Sequence, residues 1–297
     1  AGTDGSWTVP NPGLNDGDVV TATATDAAGN ESVPATEVVD ALAPTAPEID
    51  PINGTDPITG TAEPGSTVTV TYPDGTTATV IAGTDGSWTV PNPGLNDGDV
   101  VTATATDAAG NESVPATEVV DALAPTAPEI DPINGTDPIT GTAEPGSTVT
   151  VTYPDGTTAT VVAGTDGSWT VPNPGLNDGD VVTATATDAA GNESVPATEV
   201  VDALAPTAPE IDPINGTDPI TGTAEPGSTV TVTYPDGTTA TVVAGTDGSW
   251  TVPNPGLNDG DVVTATATDA AGNESVPATE VVDALAPTAP EIDPING

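Results

Sequence analysis

Apolar and polar residues alternate along this chain with a period of two. Ser66 to Tyr72 reads Ser-Thr-Val-Thr-Val-Thr-Tyr, with Val68 and Val70 on one face and threonines on the other. Val100 to Thr106 alternates again, setting Val101, Ala103 and Ala105 opposite Thr102, Thr104 and Thr106. Period two is the signature of a strand buried on one face, and no stretch carries helical spacing. Turn chemistry punctuates the strands: Asn53-Gly54, Glu63-Pro64-Gly65, Pro73-Asp74-Gly75, Asp85-Gly86 and Asp107 to Asn111. The predicted strands are therefore Pro47 to Ile52, Pro57 to Ala62, Ser66 to Tyr72, Thr77 to Ala82, Trp88 to Val90, Val100 to Thr106 and Pro115 to Val120. Seven short strands with a turn every 8–12 residues make the pattern of an immunoglobulin-like sandwich.

The same pattern then repeats. Trp7, Trp88, Trp169 and Trp250 are each 81 residues apart, and the copies are nearly identical, with Ile81 where the others have Val162 and Val243. A fixed period of this size means an array of modules. Three whole units are expected at 44–124, 125–205 and 206–286, with the C-terminal part of one at 1–43 and the start of another at 287–297. The expectation is a window onto a longer array. The seam is Asp121-Ala122-Leu123-Ala124-Pro125-Thr126-Ala127-Pro128, with equivalents from Asp40, Asp202 and Asp283. The expected fold is all-β, a tandem array of Ig-like seven-stranded sandwiches forming an extended rod. Each unit should advance it by roughly 35–45 Å, given about 3.3 Å per strand residue plus loops.

Composition narrows the function. The chain has 45 Asp and Glu and no Lys, Arg or His. It cannot neutralise nucleic-acid phosphates, which takes cationic side chains, and direct contact with anionic membranes is excluded for the same reason. Trypsin-like proteases find no Lys or Arg to cut after. Without cysteine there is no disulfide or thiolate metal site. Without histidine the metal donors are oxygens, which suit Ca²⁺ or Mg²⁺. Uncompensated like charges oppose compaction, so bound divalent cations are the expected counter-charge. A small core around one Trp per unit leaves a thin margin over chain entropy.

Strand direction suggests where those cations would sit. If seven strands alternate, the loops after strands two, four and six share a pole with the incoming connector. Asp40, Glu63, Asp107 and Asn111 then converge at one junction, as do Asp121, Glu144, Asp188 and Asn192, and Asp202, Glu225, Asp269 and Asn273. Crowded carboxylate and carbonyl oxygens are what Ca²⁺ takes as its six to eight ligands. Asp74, before Gly75, reads as a turn residue that bonds its own backbone, while Asp85, Asp166 and Asp247 lie near the junction pole and are either turn residues or further ligands. Asn96-Asp97-Gly98-Asp99 lacks the spacing and closing Glu of an EF-hand.

Catalysis has no footing, since the usual nucleophile–base pairs need His, Lys or Cys and a paired-carboxylate glycosidase needs a cleft. The threonine rows could suggest ice binding, but β-branched residues are ordinary on a solvated strand face. Asn53-Gly54-Thr55 and Asn30-Glu31-Ser32 fit the glycosylation sequon, a short pattern that arises often by chance.

In order, the chain reads Ala-Pro-Thr-Ala-Pro, Ile-Thr-Gly-Thr-Ala-Glu-Pro-Gly-Ser-Thr-Val-Thr-Val, Asp-Gly-Ser-Trp-Thr-Val and Ala-Thr-Asp-Ala-Ala-Gly-Asn-Glu-Ser. This resembles the bacterial Ig-like repeats of biofilm-associated proteins, among the giant adhesins exported by type I secretion. The resemblance covers the whole chain. It implies an extracellular stalk at the bacterial cell surface, holding adhesive tips away from the cell and supporting biofilm formation, with Ca²⁺ stiffening the junctions. The rival expectation is a self-associating module, in which identical units bind other copies of the chain. No enzymatic activity is expected.

Overall fold

The computed structural model describes residues 1–291, and every element among them is a β-strand. The chain divides into two compact units, Ala1–Ala124 with Ala189–Asn192, and Pro125–Asp188 with the described residues from Glu193 onward.

The first unit opens with a two-stranded antiparallel ribbon, β1 (Val19–Ala22) and β2 (Ala35–Val38). A complete sandwich follows: β3 (Glu48–Ile49), β4 (Ile58–Thr61), β5 (Thr67–Thr71), β6 (Thr77–Ile81), β7 (Ser87–Val90), β8 (Val100–Thr106) and β9 (Ala116–Val119). They form two antiparallel sheets, ordered β3-β4-β7 and β6-β5-β8-β9. All seven predicted strands are present. The first is much shorter than Pro47 to Ile52 because Pro47 and Pro51 bracket it and neither has an N–H for the ladder. In the second unit the same seven strands recur twice, from Glu129–Ile130 to Ala197–Val200 and from Glu210–Ile211 to Ala278–Val281. Part of the expected further copy, from residue 292 onward, lies outside the described residues.

The alternating strands deliver the core as their pattern requires. Val68 and Val70 on β5 lie beside Ala105 and Ala103 on β8, on the inner face of one sheet, and all four are fully buried. Ile58, Trp88, Val90 and Val120 complete the layer between the sheets. Tyr72 closes one end, and its hydroxyl donates to the Pro91 carbonyl at 2.6 Å. Burial raises the Tyr72 hydroxyl above its ordinary pKa, so the neutral form suits the fold and this contribution is lost in strong alkali.

One pair fixes how the sheet closes over the core. Gly60 on β4 lies directly opposite Trp88 on β7. A Cβ on Gly60 would collide with both the Trp88 ring and the Glu48 carbonyl oxygen, so the indole folds across a position where only glycine fits. Gly141 with Trp169 and Gly222 with Trp250 repeat the arrangement. Burial comes at a cost, because the indole N–H of all three tryptophans is left without a partner.

Gly60→Ala should destabilise the 44–124 repeat by roughly 2–4 kcal/mol, at the upper end for an overpacked core. Hydrogen exchange read by mass spectrometry should show β4 and β7 losing protection while 125–205 keeps it. Unchanged protection in β4 and β7 would contradict the packing described.

Candidate functional site

The residues that could do work gather at the two poles of each sandwich. At the pole where the chain leaves the 44–124 repeat, Asn53 organises the turn after β3. Its Oδ1 accepts the backbone N–H groups of Thr55 and Asp56 at 2.9 and 2.7 Å, and its Nδ2 donates to Asp56 Oδ2 at 2.7 Å. Asn92 Nδ2 donates to the Asn53 carbonyl at 2.9 Å, tying the 91–98 loop to that turn. The connector is stitched to the same pole, with Asp121 N–H on the Ile52 carbonyl and Ala122 N–H on Asp97 Oδ1.

Two further bonds bring the Ala189–Asn192 loop onto this pole. Asn53 Nδ2 donates to the Ala190 carbonyl at 3.1 Å, and Asn192 Nδ2 donates to the Asp121 carbonyl at 2.8 Å. The bonds run in opposite directions, so each side contributes an amide and a carbonyl. The second unit has the same clasp: Asn134 Nδ2 on the Ala271 carbonyl at 3.0 Å and Asn273 Nδ2 on the Asp202 carbonyl at 2.7 Å. In the first unit Asn111 Nδ2 also reaches the Asp40 carbonyl, at 3.1 Å. Asn53 and Asn134 are buried beneath these contacts.

Of the predicted ligand sets, part of each comes together. Asn111 meets Asp40 and Asp107, and Asn273 meets Asp202 and Asp269, but the group that Asp40 and Asp202 offer is the backbone carbonyl. Their carboxylates, like that of Asp121, instead accept the N–H two residues on, at Leu42, Leu204 and Leu123. Asn192 meets Asp121 in the same way, and Asp188 opens its loop. Glu63 lines a shallow recess of about 450 Å³ with Thr45, Ala46, Glu48 and Thr61. Glu144 and Glu225 line equivalent recesses with Glu129 and Glu210.

These positions bear on calcium. Among the described residues no three acidic side chains are grouped so as to hold a metal ion. Asp40 O and Asp107 Oδ2 do converge, but on the amide N–H₂ of Asn111, which fills the place a cation would need. Turning that amide would bring a third oxygen, still well short of the six to eight that Ca²⁺ takes. As arranged, the predicted residues make a hydrogen-bonded junction and do not fit a complete calcium shell.

Asp74 behaves as the turn residue expected, and Asp85 bonds in the same way, each accepting the N–H and hydroxyl of the residue two positions on. Asp97 and Asp99 likewise bond backbone N–H groups within their repeat. Asn53 and Asn92 carry more of the junction than the sequence reading gave them. The signal for both was compositional: with no cationic side chain, a carboxamide is the strongest donor available to a backbone carbonyl.

The chain belongs to the bacterial Ig domain family, whose model matches residues 43–121, 124–202 and 205–283. These repeats are structural domains and do not constitute an enzyme family. Among solved structures the chain is similar to one titled biofilm associated protein, BSP domain, at 15% identity and a TM-score of 0.28. That match covers 84% of this chain and 67% of the other. A central fibronectin-III array of RIM-binding protein is similar at 15% identity and a TM-score of 0.25, covering 82% and 97%. No curated protein sequence matches.

The Asn111 amide beside Asp107 holds that carboxyl below its ordinary value of 3.8, and Asn30 does the same for Asp26. A depressed folded pKa contributes stability that is present above 3.8 and lost as the pH falls through the lower folded value. Carboxyl-carbon NMR should find Asp107 titrating below 3.8, and Asn111→Ala should return it toward that value. A titration unmoved by the substitution would contradict the amide's role.

Proposed function

We propose that this chain is a spacer segment of a bacterial cell-surface adhesin, a stalk whose work is reach and stiffness in support of adhesion and biofilm formation. The observation that carries this reading is the tandem of three bacterial Ig domains on one 81-residue period, joined by identical seams. A binding protein needs one shaped surface, whereas an array of near-identical sandwiches multiplies length. The paired amide–carbonyl bonds at the seams supply stiffness without a resident cation. At ~1 kcal/mol each they are weak singly and add up along an array. Calcium is kept as the competing account of that stiffness. The setting is extracellular, where an acidic chain without Lys or Arg escapes trypsin-like cleavage.

Self-association is the second reading, and one observation favours it. The sandwich edges formed by β3 and β9 carry Glu48 and Glu118 and are each preceded by proline, a common guard against edge pairing. The edges formed by β6 and β7 lie together on the other side and carry neither charge nor proline, and Ile81 there is exposed. Against this stands the charge of −45, which repels a second copy everywhere else.

Light scattering across a concentration series at physiological salt separates the two. A spacer keeps the mass of one chain, 28.8 kDa, throughout. A mass that climbs with concentration, and falls back when Thr79→Glu places a charge on β6, would replace the spacer reading with self-association.

A further inference from the structure

Asn53, Asn134 and Asn215 are each followed by glycine. This pairing exposes an asparagine amide to attack by the next peptide nitrogen, because glycine has no side chain to shield it and leaves the backbone free to bend. Here the glycine is also closely packed. A Cβ on Gly54 would lie 3.0 Å from the Leu95 carbonyl oxygen and 3.1 Å from Ala122 Cβ, and Gly135 and Gly216 are confined in the same way. A chemically labile pair stands at each of these turns.

The three sites are alike in every local bond. In each, Oδ1 accepts the N–H groups two and three residues on, Nδ2 donates to the nearby Asp, and the asparagine carbonyl takes an amide from Asn92, Asn173 or Asn254. Asn53 and Asn134 make one contact more, each donating to a carbonyl of the following repeat's loop, Ala190 or Ala271, and they are 6% and 5% exposed.

We propose that these asparagines are deamidation sites gated by docking of the following repeat. The Gly54 nitrogen, giving up its proton to solvent base, bonds to Asn53 Cγ. The Cγ–Nδ2 bond breaks, and the nitrogen leaves as ammonia after taking up a proton. Water then opens the resulting five-membered succinimide at either carbonyl, giving aspartate or isoaspartate. To reach that geometry the side chain must leave its hydrogen bonds, and the bond to the next repeat's loop is the added restraint at Asn53 and Asn134. The change is one-way for the junction. A carboxylate at 53 has no N–H for the Ala190 carbonyl, and it faces Asp56 Oδ2, now 2.7 Å from Nδ2, as a like charge. A junction left undocked long enough loses the donor that docks it. This chemistry rests on the junction geometry and stands whether or not the chain is a spacer.

The test follows deamidation of the full chain in mildly alkaline buffer by mass spectrometry, after digestion with a protease that cuts behind glutamate. Because the copies are nearly identical, Thr61→Ser and Thr223→Val at exposed positions mark the first and third repeats, leaving the second unmarked. Asn134 should convert roughly tenfold faster in the Asn273→Ala chain, which lacks the bond to the Asp202 carbonyl, than in the otherwise unaltered chain, the ratio that corresponds to about 1.4 kcal/mol of protection. Asn53, whose clasp the substitution does not touch, should keep its rate. An Asn134 rate that ignores Asn273→Ala, or an Asn53 rate that rises along with it, would overturn the proposal.

Discussion

A chain with 45 carboxylates and no cationic side chain has to be held together by neutral donors. Ion pairs between side chains, the usual answer to excess acid, are impossible here. What remains is backbone N–H, the hydroxyls of Ser and Thr, and the amides of Asn. The structure uses them in that order. Backbone N–H groups and hydroxyls satisfy the turn aspartates, as Thr76 does for Asp74 and Ser87 for Asp85. The amides serve both within a turn and at a seam, as Asn111 does for Asp107 and for the Asp40 carbonyl.

Inside each sandwich the constraint is steric. The core is built from Val, Ile and Ala with one tryptophan, and that tryptophan packs only because its partner across the ladder is glycine. Leaving the indole N–H unpaired costs about 1–3 kcal/mol, a large share of the margin available to so small a core. The ring's burial offsets this by covering apolar surface that no other side chain in the repeat is large enough to cover. Tyr72 shows the alternative, an aromatic at the rim whose polar group finds a carbonyl.

Much of this was legible in the residues. Strict alternation at 66–72 and 100–106, with turn residues between, located all seven strands because period two and turn chemistry are local properties. The sheet-edge strand at 47–52 came out shorter because proline removes ladder donors, an effect the sequence contained but the expectation underweighted. The pole geometry placed Asp40 beside the 107–111 loop, and the two do meet. What could not be read was which atom of Asp40 would face the loop. Its carboxylate turns back to the Leu42 N–H, and the carbonyl is left to receive Asn111. Counting acids at a pole says which loops meet there, and leaves out that local Asx bonding turns part of their charge back on the backbone. Asn53 was legible as a turn residue, and its second role depended on a loop 137 positions away.

The central proposal is that the chain's own amides carry the bonds at the junctions. Small-angle X-ray scattering on the whole chain, in excess calcium and then in chelator, addresses it most directly. The proposal predicts the same profile in both, because amide–carbonyl bonds need no metal. A profile that shortens or bends when calcium is withdrawn would contradict it and return the junction carboxylates to the role of ligands.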